Sequence, residues 1–183
     1  TKYQDGHMYW FTGDQHFNHE NIVTKFVFRP FQTVEDMNRE IIRRHNERVK
    51  PGHTVFHLGD FRMSNQGPNV HELMEMLNGN HVFIAGNHDK RNGLNTPLKY
   101  AVIQSYGKTI LLCHDPAYAL ELMSTDPYHL SFDLAFTAHV HEKWKFNEGP
   151  MVNVGVDQWD FYPVDAKQIL KAYKAWKKTE PNR

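Results

Sequence analysis

Apolar runs of four or five residues recur along the chain, and each stops abruptly at a polar cluster. The clearest is Val82-Phe-Ile-Ala, which runs into Gly86-Asn87-His88-Asp89. Tyr9-Trp-Phe-Thr leads to Gly13-Asp14-Gln15-His16, Thr54-Val-Phe-His-Leu to Gly59-Asp60, and Thr109-Ile-Leu-Leu-Cys to His114-Asp115. Leu134-Ala-Phe-Thr-Ala reaches His139-Val140-His141, and Met151-Val-Asn-Val reaches Gly155-Val156-Asp157. Short apolar runs of this kind are buried strands, and their C-terminal ends deliver imidazole, amide and carboxylate groups.

Between them lie helical patterns. Thr33 is a plausible N-cap, Glu35 and Asp36 fall in the first turn, and Val34, Met37, Ile41 and His45 recur at helical spacing up to Val49, where Pro51-Gly52 ends the element. A second helix is expected from about Asn69 to Leu77, stopped by Asn78-Gly79. Phe17 to Arg29 reads as a loop or short helix. Tyr100 to Ser105 and Lys108 to Cys113 flank Gly107 as a β-hairpin. A short helix passes through Ala119, Leu122 and Met123, followed by a loop at Asp126-Pro127. Asp165 and Gln168 start a last helix with Ile169, Leu170, Tyr173 and Trp176 on one face. Strands interspersed with helices around a central hairpin predict an α/β sandwich with mixed sheets.

Composition narrows the class. A chain of 183 residues suits one domain over 1–183. Lys plus Arg and Asp plus Glu balance at 21 each, so no global basic field favours extended nucleic acid or an anionic membrane. The single Cys113 excludes an internal disulfide and suits a reducing compartment. Thr1 to Met8 is too polar for a secretory signal, and the expected location is cytoplasmic. No obligate protein partner is indicated.

The strand ends together supply Asp14, His16, Asp60, Asn87, His114, His139 and His141, oxygen and imidazole donors without thiolate. That set suits divalent transition metals, Mn²⁺ first, with Fe, Zn²⁺ or Ni²⁺ as alternatives. Seven donors are too many for one ion, so a carboxylate is expected to bridge two. A pair of ions about 3.5 to 4 Å apart can hold a hydroxide for in-line attack on phosphorus.

Asp14-x-His16, Gly59-Asp60, Gly86-Asn87-His88-Asp89, His114 and His139-x-His141 resemble, in order and over nearly the whole chain, the motif series of calcineurin-like metallophosphoesterases. Arg29-Pro30-Phe31 and Asn153-Val154-Gly155-Val156-Asp157 also resemble a compact bacterial and phage-type subgroup. The resemblance implies an α/β/β/α sandwich with two mixed β-sheets. It implies that Asp14, His16 and His141 hold one metal, that Asn87, His114 and His139 hold the other, and that Asp60 bridges them. His88 would contact phosphate or protonate the leaving oxygen. Asn87 is expected to touch substrate as well as metal, and Arg62 is the best placed of the neighbouring cations for phosphate.

Two positions depart from the family pattern. Ala138 precedes His139 where Gly is usual, and the small methyl is expected to cost a backbone adjustment without loss of the ligand. Met63 stands three residues after Asp60, where many family phosphatases carry an Asp that orients the catalytic histidine; Asp89, Asp115 and Asp157 are the alternative orienters. The function expected is hydrolysis of a phosphodiester, small or nucleotide-type, by a metal-bridging hydroxide. Phosphomonoester hydrolysis, a small nuclease and a non-catalytic scaffold are the competing readings.

Overall fold

A computed structural model describes residues 8–125 and 131–179. Two mixed sheets face each other. The first contains β1 (Tyr9–Thr12), β2 (Thr54–His57) and β3 (Asn80–Phe83), which run parallel, with β9 (Val164–Asp165) antiparallel beside β1. The second is ordered β4 (Tyr100–Ser105), β5 (Lys108–Cys113), β6 (Leu134–Thr137), β8 (Met151–Asn153) and β7 (Phe146–Asn147). Its three central strands are parallel, and an antiparallel strand closes each edge.

The period-two alternation of these strands decides which face each side chain meets. Ile110, Leu112, Leu134, Phe136 and Val152 point inward and pack with Phe11, Leu58 and Ile84 of the first sheet. The intervening Leu111, Cys113, Ala135 and Met151 point outward against Ala119 of α3 (Pro116–Thr125). On the other outer face, α1 (Val34–Arg48) contributes Met37 and Ile41, and α2 (Val70–Met76) contributes Leu73. The layer order is therefore the expected α/β/β/α sandwich. The last helix, α4 (Ala166–Thr179), leans on β9 and β1 and buries Ile169 in the inter-sheet core. Its Tyr173 and Trp176 rings pack on Phe146. No described helix is long and apolar enough to cross a membrane.

Local chemistry places these elements. Thr33 accepts the Asp36 N–H at 3.1 Å at the start of α1, and Asn69 with Glu72 forms a reciprocal capping box on α2. The Asp165 carboxylate accepts the Gln168 N–H at 2.8 Å. Tyr106 and Gly107, both with positive φ (50° and 70°), make the two-residue turn of the β4–β5 hairpin.

The strand expected over Val82 to Ala85 begins and ends two residues earlier. Its register is pinned by β2, with Thr54 opposite Asn80 and His57 opposite Phe83. Ile84 and Ala85 continue beyond the ladder, each tied by its N–H, to His57 O and Leu98 O respectively. Between Phe17 and Arg29 the chain forms a short π-helical segment, Ile22–Phe26. The loop expected at Asp126-Pro127 lies outside the described residues, as do 1–7.

Candidate metal centre

Because β1, β2 and β3 are parallel, their C-terminal ends open at one edge of the first sheet; β5 and β6 do the same in the second. Asp14 and His16 follow β1, Asp60 follows β2, Asn87 and His88 follow β3, His114 follows β5, and His139 and His141 follow β6. The loops of both sheets are stitched together. Asp14 N–H donates to Gly59 O, His16 N–H to Asp60 O, Ala138 N–H to His114 O, each at 3.0 Å, and the His139 N–H donates to Asp14 Oδ2 at 2.7 Å.

Two groups of ligating atoms result: Asp14, His16 and His141 in one, Asp60, His114 and His139 in the other, with the atoms of each group within 4.8 Å of one another. Asp60 Oδ2 lies 3.6 Å from His16 Nε2 and 3.4 Å from His114 Nε2. Donors that share an ion at roughly 2.0 to 2.2 Å sit at about such spacings. Asn87, exposed at the mouth, brings its amide nitrogen to 3.3 Å from His139 Nδ1, which is also 3.3 Å from His114 Nε2. All seven expected donors meet in one place.

Their backbones are unusual. Asp14, His16, Asp60, His139 and His141 all adopt left-handed φ, between 48° and 73°. Non-glycine residues avoid that region, and its recurrence at five of the seven donors is strain held by the surrounding hydrogen bonds. Gly86 is demanded by crowding: a Cβ there would strike the Asp60 N–H and carboxylate. Ala138 avoids left-handed φ, and its methyl fills the space over Gly13, so the missing glycine leaves His139 in position.

Hydrogen bonds choose the ligand nitrogens. His114 Nδ1 donates to Leu58 O at 2.6 Å and His141 Nδ1 donates to Asp157 Oδ2 at 2.9 Å, leaving each Nε2 for the cluster. The donors fit divalent cations by another test: Asp14 Oδ1 and His16 Nε2 are buried with no hydrogen-bond partner. Such orphaned atoms are costly unless a cation satisfies them.

Electrostatics agree. Burial pushes the Asp14 carboxyl up to about 6, against the opposing pull of His141 and His114. Burial holds His16 down at about 3, although Asp60 draws it the other way. For Asp60, burial would raise the carboxyl, but His114 and His16 outweigh it and keep it well below the usual range. Burial likewise opposes a proton on His114, yet the Asp60 and Asp14 carboxylates prevail and lift the ring to about 9. A proton there stands where the cluster calls for a metal cation.

The residues around the donors have distinct tasks. Asp89, buried, accepts the N–H groups of Asp60, Phe61 and Gly86, so it shapes two loops and does not face the His88 ring. Asp115 caps Ala117 at the start of α3. Asp157 serves His141 and Arg29. The three alternative orienters of His88 are thus occupied elsewhere. The exposed His88 ring has no hydrogen-bond partner among the described residues, while the backbone N–H of His88 donates to Asp60 Oδ1 at 3.0 Å.

Arg62 lies within the protein, 4% exposed, and its guanidinium binds Pro68 O, Asn65 Oδ1 and Asn92 O. Those contacts tie loops together through Nε and Nη1. Arg29 is also buried, bound to Asp157 and to the carbonyls of Asp14 and Gln15. Sequence reasoning missed its role; the signal was an Arg-Pro pair far from any helix face, whose partner lies 128 residues on. Also missed was Lys99, which lines a cavity beside Asn87 and His114.

A two-sheet α/β sandwich with histidine and carboxylate clusters at its strand ends defines a metal-binding hydrolase. The chain belongs to the calcineurin-like phosphoesterase superfamily, whose domain model matches residues 13–158. An uncharacterized protein of Methanocaldococcus jannaschii, MJ1445, is 36% identical over 166 residues, covering 86% of each chain. The structure of a protein of unknown function from Aquifex aeolicus, AQ665, superposes with a TM-score of 0.74 at 26% identity, over 91% of this chain and 100% of that one. Family membership implies hydrolysis of phosphate esters with divalent metal ions.

Proposed function

We propose that the protein is a binuclear-metal phosphodiesterase acting on small or nucleotide-type diesters. The observation that carries the binuclear reading is Asp60 Oδ2, a single oxygen within 3.6 Å of a ligand nitrogen from each cluster. Asp14, His16 and His141 would hold one ion, Asn87, His114 and His139 the other, and Asp60 would bridge, with Mn²⁺ the best match to this thiolate-free set. Two bound cations neutralise charge on the phosphoryl oxygens and lower the pKa of water toward about 7.

The chain's own groups do the rest. Arg29 and Asp89 fix the loops, so the donors are in place before substrate arrives. His88, solvent-facing and anchored through its backbone N–H to Asp60, is the group free to give a proton to the departing alkoxide. Among the described residues no carboxylate hydrogen-bonds to its ring. Met63 Sδ lies 3.9 Å from the Asn92 amide, which also donates to His88 O. A monoester dianion gains most from a fixed cation, whereas a diester monoanion needs it less. That difference supports the diester reading. The test is kcat/KM for matched aryl phosphodiesters and phosphomonoesters with Mn²⁺: the diester is expected to be faster, and a tenfold or greater preference for the monoester overturns the assignment.

A further inference from the structure

The two cavities flanking the ligand cluster differ in chemistry. The smaller, about 330 Å³, lies against Asn87 and His114 and carries Lys99 together with Asp115. The larger, about 620 Å³, lies on the other side and is lined by Glu20 and Glu35 with no lysine or arginine. Its wall reaches the centre through His19, whose Nδ1 is 3.1 Å from His16 Nδ1 and whose ring stacks on His16 at 5.3 Å. Met63 borders it towards His88, through the Asn92 amide that touches both.

One wall is rigid. Asn38 Nδ2 donates to Asn18 Oδ1, and Asn18 Nδ2 to Pro68 O, each at 2.8 Å, so those amides are satisfied within the protein. By contrast, the side chains of Glu20, Glu35 and Gln66 are exposed and have no hydrogen-bond partner among the described residues.

We propose that this larger cavity binds an uncharged, diol-bearing ester arm of the substrate, as found in a ribonucleoside or a glyceryl group. The proposal rests on the phosphodiesterase reading of the metal centre. A volume of about 620 Å³ falls in the range of pockets that enclose small molecules, and a nucleoside-sized arm fits it. Two free carboxylates accept hydrogen bonds from adjacent hydroxyls, and such charge-assisted bonds are roughly twice as strong as neutral ones. The same carboxylates, with no lysine or arginine lining the cavity, disfavour a second phosphate.

The experiment uses the metal-loaded protein and 4-nitrophenyl phosphodiesters whose second arm is methyl, glyceryl, uridine-5′, thymidine-5′ or phosphoglyceryl. The diol-bearing glyceryl and uridine esters are expected to exceed the methyl ester at least tenfold in kcat/KM, with the phosphoglyceryl ester below it. A gain for glyceryl equal to that for uridine assigns the recognition to the diol alone; a larger gain for uridine adds the base. Glu20→Gln with Glu35→Gln, and separately Gln66→Trp, should bring the diol esters down to the methyl ester. Calorimetric binding of uridine 5′-monophosphate and methyl phosphate gives a readout without turnover, with uridine at least tenfold tighter in the unmodified protein and equal to methyl in the double variant. Diesters cleaved without discrimination between arms would overturn the cavity assignment and leave the phosphodiesterase reading standing. Discrimination in binding with no diester cleaved would do the reverse.

Discussion

His141 Nδ1 lies 2.9 Å from Asp157 Oδ2, and the Arg29 guanidinium grips both oxygens of that carboxylate, also at 2.9 Å. This chain of contacts fixes the His141 ring and turns its Nε2 to Asp14 and His16. Burial opposes charge on both partners, but their mutual attraction outweighs it: with Arg29 it lowers the Asp157 pKa, and with Asp14, against the pull of Arg29, it raises that of His141. Asp157→Ala is expected to weaken metal binding by about 10- to 100-fold, the usual cost of losing a carboxylate behind a ligating histidine. Titration with Mn²⁺ followed by equilibrium dialysis measures it, and unchanged affinity would remove the orienting role.

Arg29→Met leaves Asp157 buried with His141 but without the guanidinium, and frees the carbonyls of Asp14 and Gln15. Breaking a buried pair in this way costs about 3–5 kcal/mol. Urea denaturation of the metal-free variant should show a loss of that order, while a loss under 1 kcal/mol would mean that solvent replaces the guanidinium.

The histidines predict how metal-free stability depends on pH. Burial holds His16 at about 3, His45 at about 4, and His57 well below 6.5. A depressed histidine pKa means that the unfolded chain binds the proton first, so stability falls as pH drops below 6.5. His114, lifted to about 9 by the carboxylates despite burial, works oppositely: its contribution is full below 6.5 and is lost as pH rises through 9. Asp14, raised to about 6 by burial, favours the folded state at acid pH, but it is one group against three. Each unbalanced proton changes stability by about 1.4 kcal/mol per pH unit. Chemical denaturation should therefore find maximal metal-free stability near pH 6.5 to 7. A monotonic rise from pH 5 to 9 would contradict the His114 assignment. For the loaded protein, protons compete with metal, so activity and bound metal should fall together below about pH 5 to 6.

Much of this centre was legible in the sequence, because a buried strand must end before a metal loop begins. The apolar runs before Asp14, Asp60, Asn87, His114 and His139 located five loops, and parallel pairing then brought them to one edge. What could not be read is what ties those loops together. Arg62 stands beside a ligand, but the Pro68 and Asn92 carbonyls that hold its Nε and Nη1 have no sequence signature. Asp89 sits next to His88 in the chain, yet the turn points it back at three N–H groups. The boundaries of β3 moved because pairing with β2, not hydrophobicity, decides where a ladder stops.

His88→Ala tests the proton donor. With the ring exposed and unpaired, its contribution should scale with how much the leaving alkoxide needs a proton. Loss for alkyl esters is expected to reach about 10²- to 10⁴-fold, the typical yield of general acid catalysis, and to be much smaller for 4-nitrophenyl esters. Equal losses for both would remove the acid role from His88.

The most direct test of a centre joined by one carboxylate is metal content measured by elemental analysis after Mn²⁺ loading and desalting, with Asp60→Asn and the exposed α2 variant Glu75→Gln in parallel. Two ions per chain are predicted for the unmodified protein and for Glu75→Gln. Asp60→Asn should lose both together, because its Oδ2 serves the His16 and the His114 side alike. One ion or none in the unmodified protein at saturating Mn²⁺, or two retained in Asp60→Asn, would contradict the account.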